Sequence, residues 1–282
     1  MMATCGRKRT LVDIGVLVGL LGAAGCVLAG HLLGGGTIQG LLDPTAALIV
    51  VGGSLCATMV SMGLKRMLQI PGHVILAMRQ ETINEYQFVE DVCRWHVLAK
   101  KEGPVALEEH AKKQPDHLLR FALQQKANGR KDEDLRQELL SMIWSEQFQA
   151  KSASEVFEAA GGFAPTFGIV ATVMGLIDVL GKLSSGDAAA LGAAVSTAFL
   201  GTFYGISSAN IFWLPLGKKL KTKSKERDRQ QRLFVEAVSL ISRASGPIEI
   251  RQRLYRIIDP KKADEIRGVA SAGGAAANAA GG

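Results

Sequence analysis

The residues best suited to chemistry lie in one stretch, 161–215, which reads GGFAPTFGIVATVMGLIDVLGKLSSGDAAALGAAVSTAFLGTFYGISSANIFWLP. Two apolar runs within it, 163–180 and 188–214, are each long enough to cross a bilayer as a helix. A short polar loop, 181–187, joins them, so they must form an antiparallel helical hairpin. On such a hairpin the hydroxyls of Thr172 and Thr202 fall at one depth. Thr172 lies about nine residues into the first run, roughly 13 Å along the helix, and Thr202 comes about as far from the inner end of the second. Either hydroxyl alone could bond its own i−4 carbonyl. Two at one depth on neighbouring helices suit a polar ring or an ion path. Pro165 and Pro215 bracket the hairpin and free the carbonyls of Gly161 and Ile211. A freed carbonyl at membrane depth must be buried in protein or line water. Pro165 also fits a first-turn proline, whereas Pro215 directly follows an apolar run and reads as a kink or hinge. No carboxylate sits mid-membrane in the hairpin, and Asp178 lies near its outer end, where an interfacial acid needs no special role. A carboxylate relay would have to draw its acid from another chain.

The elements that carry these side chains are slim. Gly, Ala, Ser and Thr dominate, and Gly201-x-x-x-Gly205 is a small-x-x-x-small pattern that lets helix backbones approach closely. Packing within one chain explains the composition. Packing around a shared centre explains it together with the polar side chains at matching depths.

The 282 residues are 48% hydrophobic yet 21% charged, the profile of membrane helices joined to a charged soluble part. The formal net charge of +7 does not mark a nucleic-acid binder. Its cations hug the ends of apolar runs (Arg7, Lys8, Arg9; Lys65, Arg66; Lys218, Lys219, Lys221, Lys223, Lys225), as cytoplasmic flanks do, and no basic motif with interleaved aromatics occurs. Such flanks also attract anionic lipid headgroups. Cys5, Cys26, Cys56 and Cys93 have no C-x-x-C spacing and the five histidines are scattered, so neither a disulfide framework nor a metal site is expected. His31, at the end of an apolar run, reads as interfacial. No Ser/His/Asp grouping, phosphate loop or paired His ligands emerge, so the chain is not expected to be an enzyme or to need a cofactor.

The expected fold is an all-α integral membrane protein, with four transmembrane helices and a helical cytoplasmic domain inserted between spans two and three. A cytoplasmic N-terminus, 1–10, precedes span one, 11–33. Its charged-then-apolar order is that of a signal peptide, but the run is too long for one and is expected to be retained. Asp13 near its inner end reads as an interfacial or capping acid. A periplasmic loop, 34–43, leads to span two, 44–64, closed by Lys65 and Arg66. The cytoplasmic domain, 65–157, reads as helices, with apolar positions at helical spacing over 79–101 and 132–158 and no strand signal. Span three, 158–181, a periplasmic loop, 182–188, and span four, 189–215, follow. A cytoplasmic stem and short helix, 216–258, and a low-complexity tail, 259–282, expected to be disordered, complete the chain. Both termini then lie inside. The charge-dense helices around Lys100 and Glu108 are by default a solvated face, and in the sharper reading a docking surface for opposite charges.

Three blocks carry a family resemblance: AALIVVGGSLCATMVS with Lys65–Arg66, FAPTFGIVATVMGLI, and LGAAVSTAFLGTFYGISSANIFWLPL, with the helical insertion between the first and second. In that order they resemble the flagellar stator A subunit, the MotA/PomA family of the wider MotA/TolQ/ExbB proton-channel superfamily, over nearly the whole chain up to its tail. The resemblance implies a subunit of the bacterial inner membrane that forms a pentameric ring around two copies of a MotB/PomB-like B subunit. That partner supplies the ion-carrying Asp and a periplasmic peptidoglycan-binding domain. Flow of H+ or Na+, the only small species implied, would turn the ring, and charged residues of the cytoplasmic domain would engage the rotor protein FliG. On this resemblance Pro165, Thr166, Thr172, Thr202 and Pro215 form the ion pathway. Lys100 or Lys101, with Glu108 or Glu109, faces the rotor. Thr172 stands where sodium-type members carry Thr and some proton-type members Ala, which leans toward sodium, though the partner's span also bears on the ion. An ExbB/TolQ-type transducer is the alternative. That class usually has three spans with its insertion after the first, whereas two apolar runs precede the insertion here.

Overall fold

A computed structural model describes residues 9–183 and 188–261. Residues 1–8 of the expected N-terminal flank, 184–187 of the second outer loop and 262–282 of the tail lie outside the described residues. The chain is nearly all helical and divides into two compact units. Of the described residues, one takes in 11–80, 148–183 and 188–224, the other 9–10, 81–147 and 225–261.

In the first unit, α1 (Ile14–Leu33) is apolar on every side and buries none of its residues, as a helix solvated by lipid does. A 3-10 turn (Gln39–Leu41) leads to α2 (Pro44–Ala47). Asp43 caps α2, its carboxylate accepting from the N–H groups of Thr45 and Ala46 at 2.9 and 3.0 Å, with Pro44 inside the first turn, where its missing N–H costs nothing. A π turn (Leu48–Gly52) runs into α3 (Gly53–Met62), then come α4 (Leu64–Met67) and α5 (Ile70–Met78). Three helical segments are long and apolar enough to cross a membrane: Ile14–Leu33, Gln39–Met62 and the apolar part of Asp132–Leu183. The run expected as span four is helical too, as α10 (Ala188–Ser207), a π turn (Ser208–Trp213) and the start of α11 (Leu214–Arg243). This unit's core is Phe157, Ala160, Ala164, Ala209, Trp213, Leu216 and Leu220 with Ala77. Asp13 makes no capping bond; it pairs with Lys219 at 2.6 Å.

The second unit holds α6 (Glu85–Glu102), α7 (Leu107–Lys112), α8 (His117–Ala127), the first turns of α9 (Asp132–Leu183), the last turns of α11, and α12 (Pro247–Ile258). Side chains cap two of its helix starts. Asn84 caps α6 through Gln87 N–H, and Asp116 caps α8 through Leu118 and Leu119 N–H. Leucines and aromatics at i, i+3 and i+4 form one core, with Phe88, Trp95, Leu123, Leu139, Phe234 and Leu254 among its members. Buried Asp116 also pairs with Arg227 at 2.5 Å.

One feature departs from the sequence reading. Arg9–Val12 and Arg79–Thr82 pair as a two-stranded sheet, so helical spacing from residue 79 does not yield a helix until Glu85.

Candidate functional site

The site lies along the seam between α9 and α10. Glycine places it there. A Cβ on Gly168 would sit 2.9 Å from the Gly201 carbonyl oxygen, and one on Gly205 would sit 2.6 Å from the Ala164 carbonyl oxygen and 3.1 Å from Cα of Pro165. A Cβ on Gly175 would fall 2.6 Å from Cβ of Ala198. The two backbones touch, as the small-residue pattern requires.

Against this seam Thr172 Oγ1 lies 3.0 Å from the Gly168 carbonyl oxygen, 2.9 Å from that of Ala198, and in hydrogen-bond contact with the Thr202 hydroxyl. The two hydroxyls therefore meet across the hairpin, half-buried. The i−4 bond from Thr172 exists as well, so both readings of that side chain hold together. One hydroxyl carries one proton and two lone pairs, so Thr172 can donate to one carbonyl at a time while exchanging a bond with Thr202. Four oxygens thus converge on a spot that has more acceptors than protons. Such a cluster can pass a proton by rotating hydroxyls, or offer oxygen ligands to a hard cation. No carboxylate takes part in it, and no cluster of His, Cys, Asp or Glu able to hold a metal occurs among the described residues.

Pro165 sits in the interior of α9, so it is not a first-turn proline. Gly161, whose carbonyl it deprives of a donor, is buried against Trp213 and Leu214. Pro215 is exposed and stands second in α11, one residue past the π turn Ser208–Trp213, so an extra residue in the turn lies beside a missing N–H. Thr166 is exposed and donates to the Phe163 carbonyl at 2.7 Å, apart from the two paired threonines.

The expected rotor-facing residues lie in the second unit. Glu108 pairs with Lys112 at 2.7 Å and Glu109 with Lys113 at 2.5 Å, and hydrogen bonds from those ammonium groups hold both carboxyls below their ordinary values. Lys100 reaches the Ser245 carbonyl at 3.4 Å. Lys101 is exposed and has no hydrogen-bond or ion-pair partner among the described residues.

Sequence reasoning missed Tyr204. Its hydroxyl donates to the Leu41 carbonyl and accepts from Asp43 N–H at 2.9 Å, tying α10 to the turn that opens α2. A polar aromatic inside an apolar run was the only available signal, since its partners lie 161 and 163 residues away.

Residues 17–103 match the model described as Motility protein A N-terminal, and residues 110–232 match that of the MotA/TolQ/ExbB proton channel family. Motility protein A of Bacillus subtilis is 27% identical over 246 residues, covering 87% of this chain and 90% of its own. The flagellar MotAB stator complex from Bacillus subtilis contains a chain 26% identical with a TM-score of 0.80, covering 87% of this chain and 96% of that one. The structure of C. jejuni MotAB gives the same TM-score of 0.80 at 23% identity, a likeness of fold, over 87% and 95% of the two chains.

Proposed function

The chain belongs to the MotA/TolQ/ExbB proton channel family, and on that premise we infer that it is a stator subunit of the bacterial flagellar motor, forming with a MotB-like partner an ion channel that drives the rotor. The observation that carries this reading is the paired hydroxyls of Thr172 and Thr202 on a glycine seam that holds no acid. A conduit wall of that kind needs a charge carrier from another polypeptide. The relatives solved as MotAB complexes favour such a partner.

The chain crosses the inner membrane four times with both termini in the cytoplasm, and several copies, five on the family pattern, surround two partner spans. Each partner span brings the acid that binds H+ or Na+. Pro165 and Pro215, one inside α9 and one at the π turn, act as the flexible points that let the hairpin respond when that acid changes charge. Thr166 sits toward the inner mouth. Lys101 is the cation that meets FliG, because Lys100 is engaged on Ser245 and Lys101 is not. Glu108 and Glu109 shape that surface as pairs with Lys112 and Lys113.

Complementation tests the reading. In cells lacking their own A subunit, this gene with its partner gene is expected to restore swimming, and Pro165→Ala or Pro215→Ala to abolish it while the complex still assembles. Full torque in both variants would remove the role given to the prolines.

A further inference from the structure

Three lysines on α11, just past Pro215, tie that helix to three other elements of the apolar unit. Lys219 pairs with Asp13, the residue before α1, at 2.6 Å, and Lys223 donates to the Leu76 carbonyl of α5 at 2.6 Å. These two are one turn apart and share a side of α11. Lys221, between them, reaches the other way and pairs with Glu158 of α9 at 3.2 Å. Asp13 N–H in turn donates to the Met78 carbonyl at 2.6 Å, which joins α1 to α5. An apolar centre fills the space within these ties. Phe157, Leu216 and Leu220 are buried there with Ala77, and Val16 and Val74 pack against them. A Cβ on Gly217 would lie 3.2 Å from Cβ of Phe157, so α9 and α11 touch at this level. Glu158 precedes Pro165 on α9, and the three lysines follow Pro215 on α11, so every tie falls on the same side of both prolines. On the other side the glycine seam locks α9 to α10, and the hydroxyl pair lies there.

We propose that Asp13, Glu158, Lys219, Lys221 and Lys223 form a rack that holds α1, α5, α9 and α11 as one base, against which the hairpin beyond Pro165 and Pro215 tilts when the partner's acid changes charge. A joint between two stiff bodies transmits a tilt. A base that yields absorbs it, and passes nothing to the parts of α9 and α11 that run on into the charged unit. Asp13 and Lys219 are positioning residues on this account, remote from the hydroxyl pair. The Asp13 side chain is only 15% exposed, so loss of Lys219 alone strands a largely buried carboxylate. The inference rests on the stator reading above.

The test uses the full chain with its MotB-like partner and reads ion flux in vesicles beside torque in cells lacking their own A subunit. Asp13→Asn combined with Lys219→Met removes both charges together and strands neither. This double variant is expected to keep the flux of the unaltered complex and to lose most of its torque, while Lys219→Arg keeps both. In a second arm the four natural cysteines are replaced by Ala, and Asp13→Cys and Lys219→Cys are joined by a short membrane-permeant bis-maleimide. Torque is expected to be low before joining and to recover after it. Unchanged torque in the double variant, or flux and torque falling in proportion, would overturn the rack. So would rotation that stops, or fails to recover, when the two positions are covalently joined. Each of these leaves the stator reading standing, whereas absence of flux in the unaltered complex would overturn that reading and the rack with it.

Discussion

Thr172 and Thr202 each make bonds that a merely structural threonine could make, and the account rests on what they do together. Replacing either by Val keeps the shape and removes the hydroxyl, so ion-driven torque is expected to fall steeply with assembly intact, while Thr→Ser retains most of it. Tethered-cell rotation speed checks this, and equal speeds for Val and Ser would deny the hydroxyls a part. Gly168→Ala forces a methyl to 2.9 Å from the Gly201 carbonyl oxygen and is expected to cost about 1–3 kcal/mol, read as a lower melting temperature of the purified complex. Cys93 offers a pH test. Burial pushes its thiol up from 9.0 to about 11. The folded state therefore binds the proton more tightly than the unfolded chain, and this contribution, present below pH 9, is lost as pH rises toward 11. Stability is expected to drop by about 2 kcal/mol across that window, and Cys93→Ala to flatten that part of the profile whatever its own cost at neutral pH. The hydroxyl pair was legible from spacing alone, because two antiparallel helices have one register. The Tyr204 bonds to Leu41 and Asp43 were not, since nothing local in the sequence names a partner that distant.

At the scale of elements, apolar periodicity was readable where the physics is local: α9 begins at Asp132, where the helical spacing over 132–158 sets in, whereas the Asn84 cap that holds the start of α6 back to Glu85 was not read from spacing. The π turns at Leu48–Gly52 and Ser208–Trp213 left no such mark, because an extra residue in a turn is decided by what packs against it. The same holds for Pro165. Proline next to a glycine pair looks like a helix start, yet α9 runs through it, with Gly205 and Leu214 packed closely around that turn. Arg9–Val12 pairs with Arg79–Thr82 across a separation that no alternation signal reveals. One cap does double duty. Asp116 is 1% exposed and binds both its helix N–H groups and Arg227. Asp116→Ala is expected to cost about 3 kcal/mol, from the lost cap and a half-buried cation left without its acid. Thermal unfolding of the full chain measures it, and a cost under about 0.5 kcal/mol would mean the pair is not structural.

At the scale of the whole chain, composition revealed two environments, one apolar and poor in charge, one dense in charge of both signs, and the compact units follow that division. The charged unit yields a prediction about rotor contact. Lys101→Glu is expected to reduce torque more than Glu108→Lys, since Glu108 is already matched by Lys112 on its own helix while Lys101 has no such match. Motor torque of the two variants at equal expression decides it, and a reversed order would reassign the contact. The central claim is that this chain supplies a conduit wall and another polypeptide supplies the charge carrier. Ion flux into membrane vesicles tests it most directly, with the chain alone, with the MotB-like partner proposed for it, and with the acid proposed for that partner's span neutralised. The account predicts flux only in the second case, reduced by Thr202→Val; flux through the chain alone, or through the acid-neutralised complex at the same rate, would contradict it.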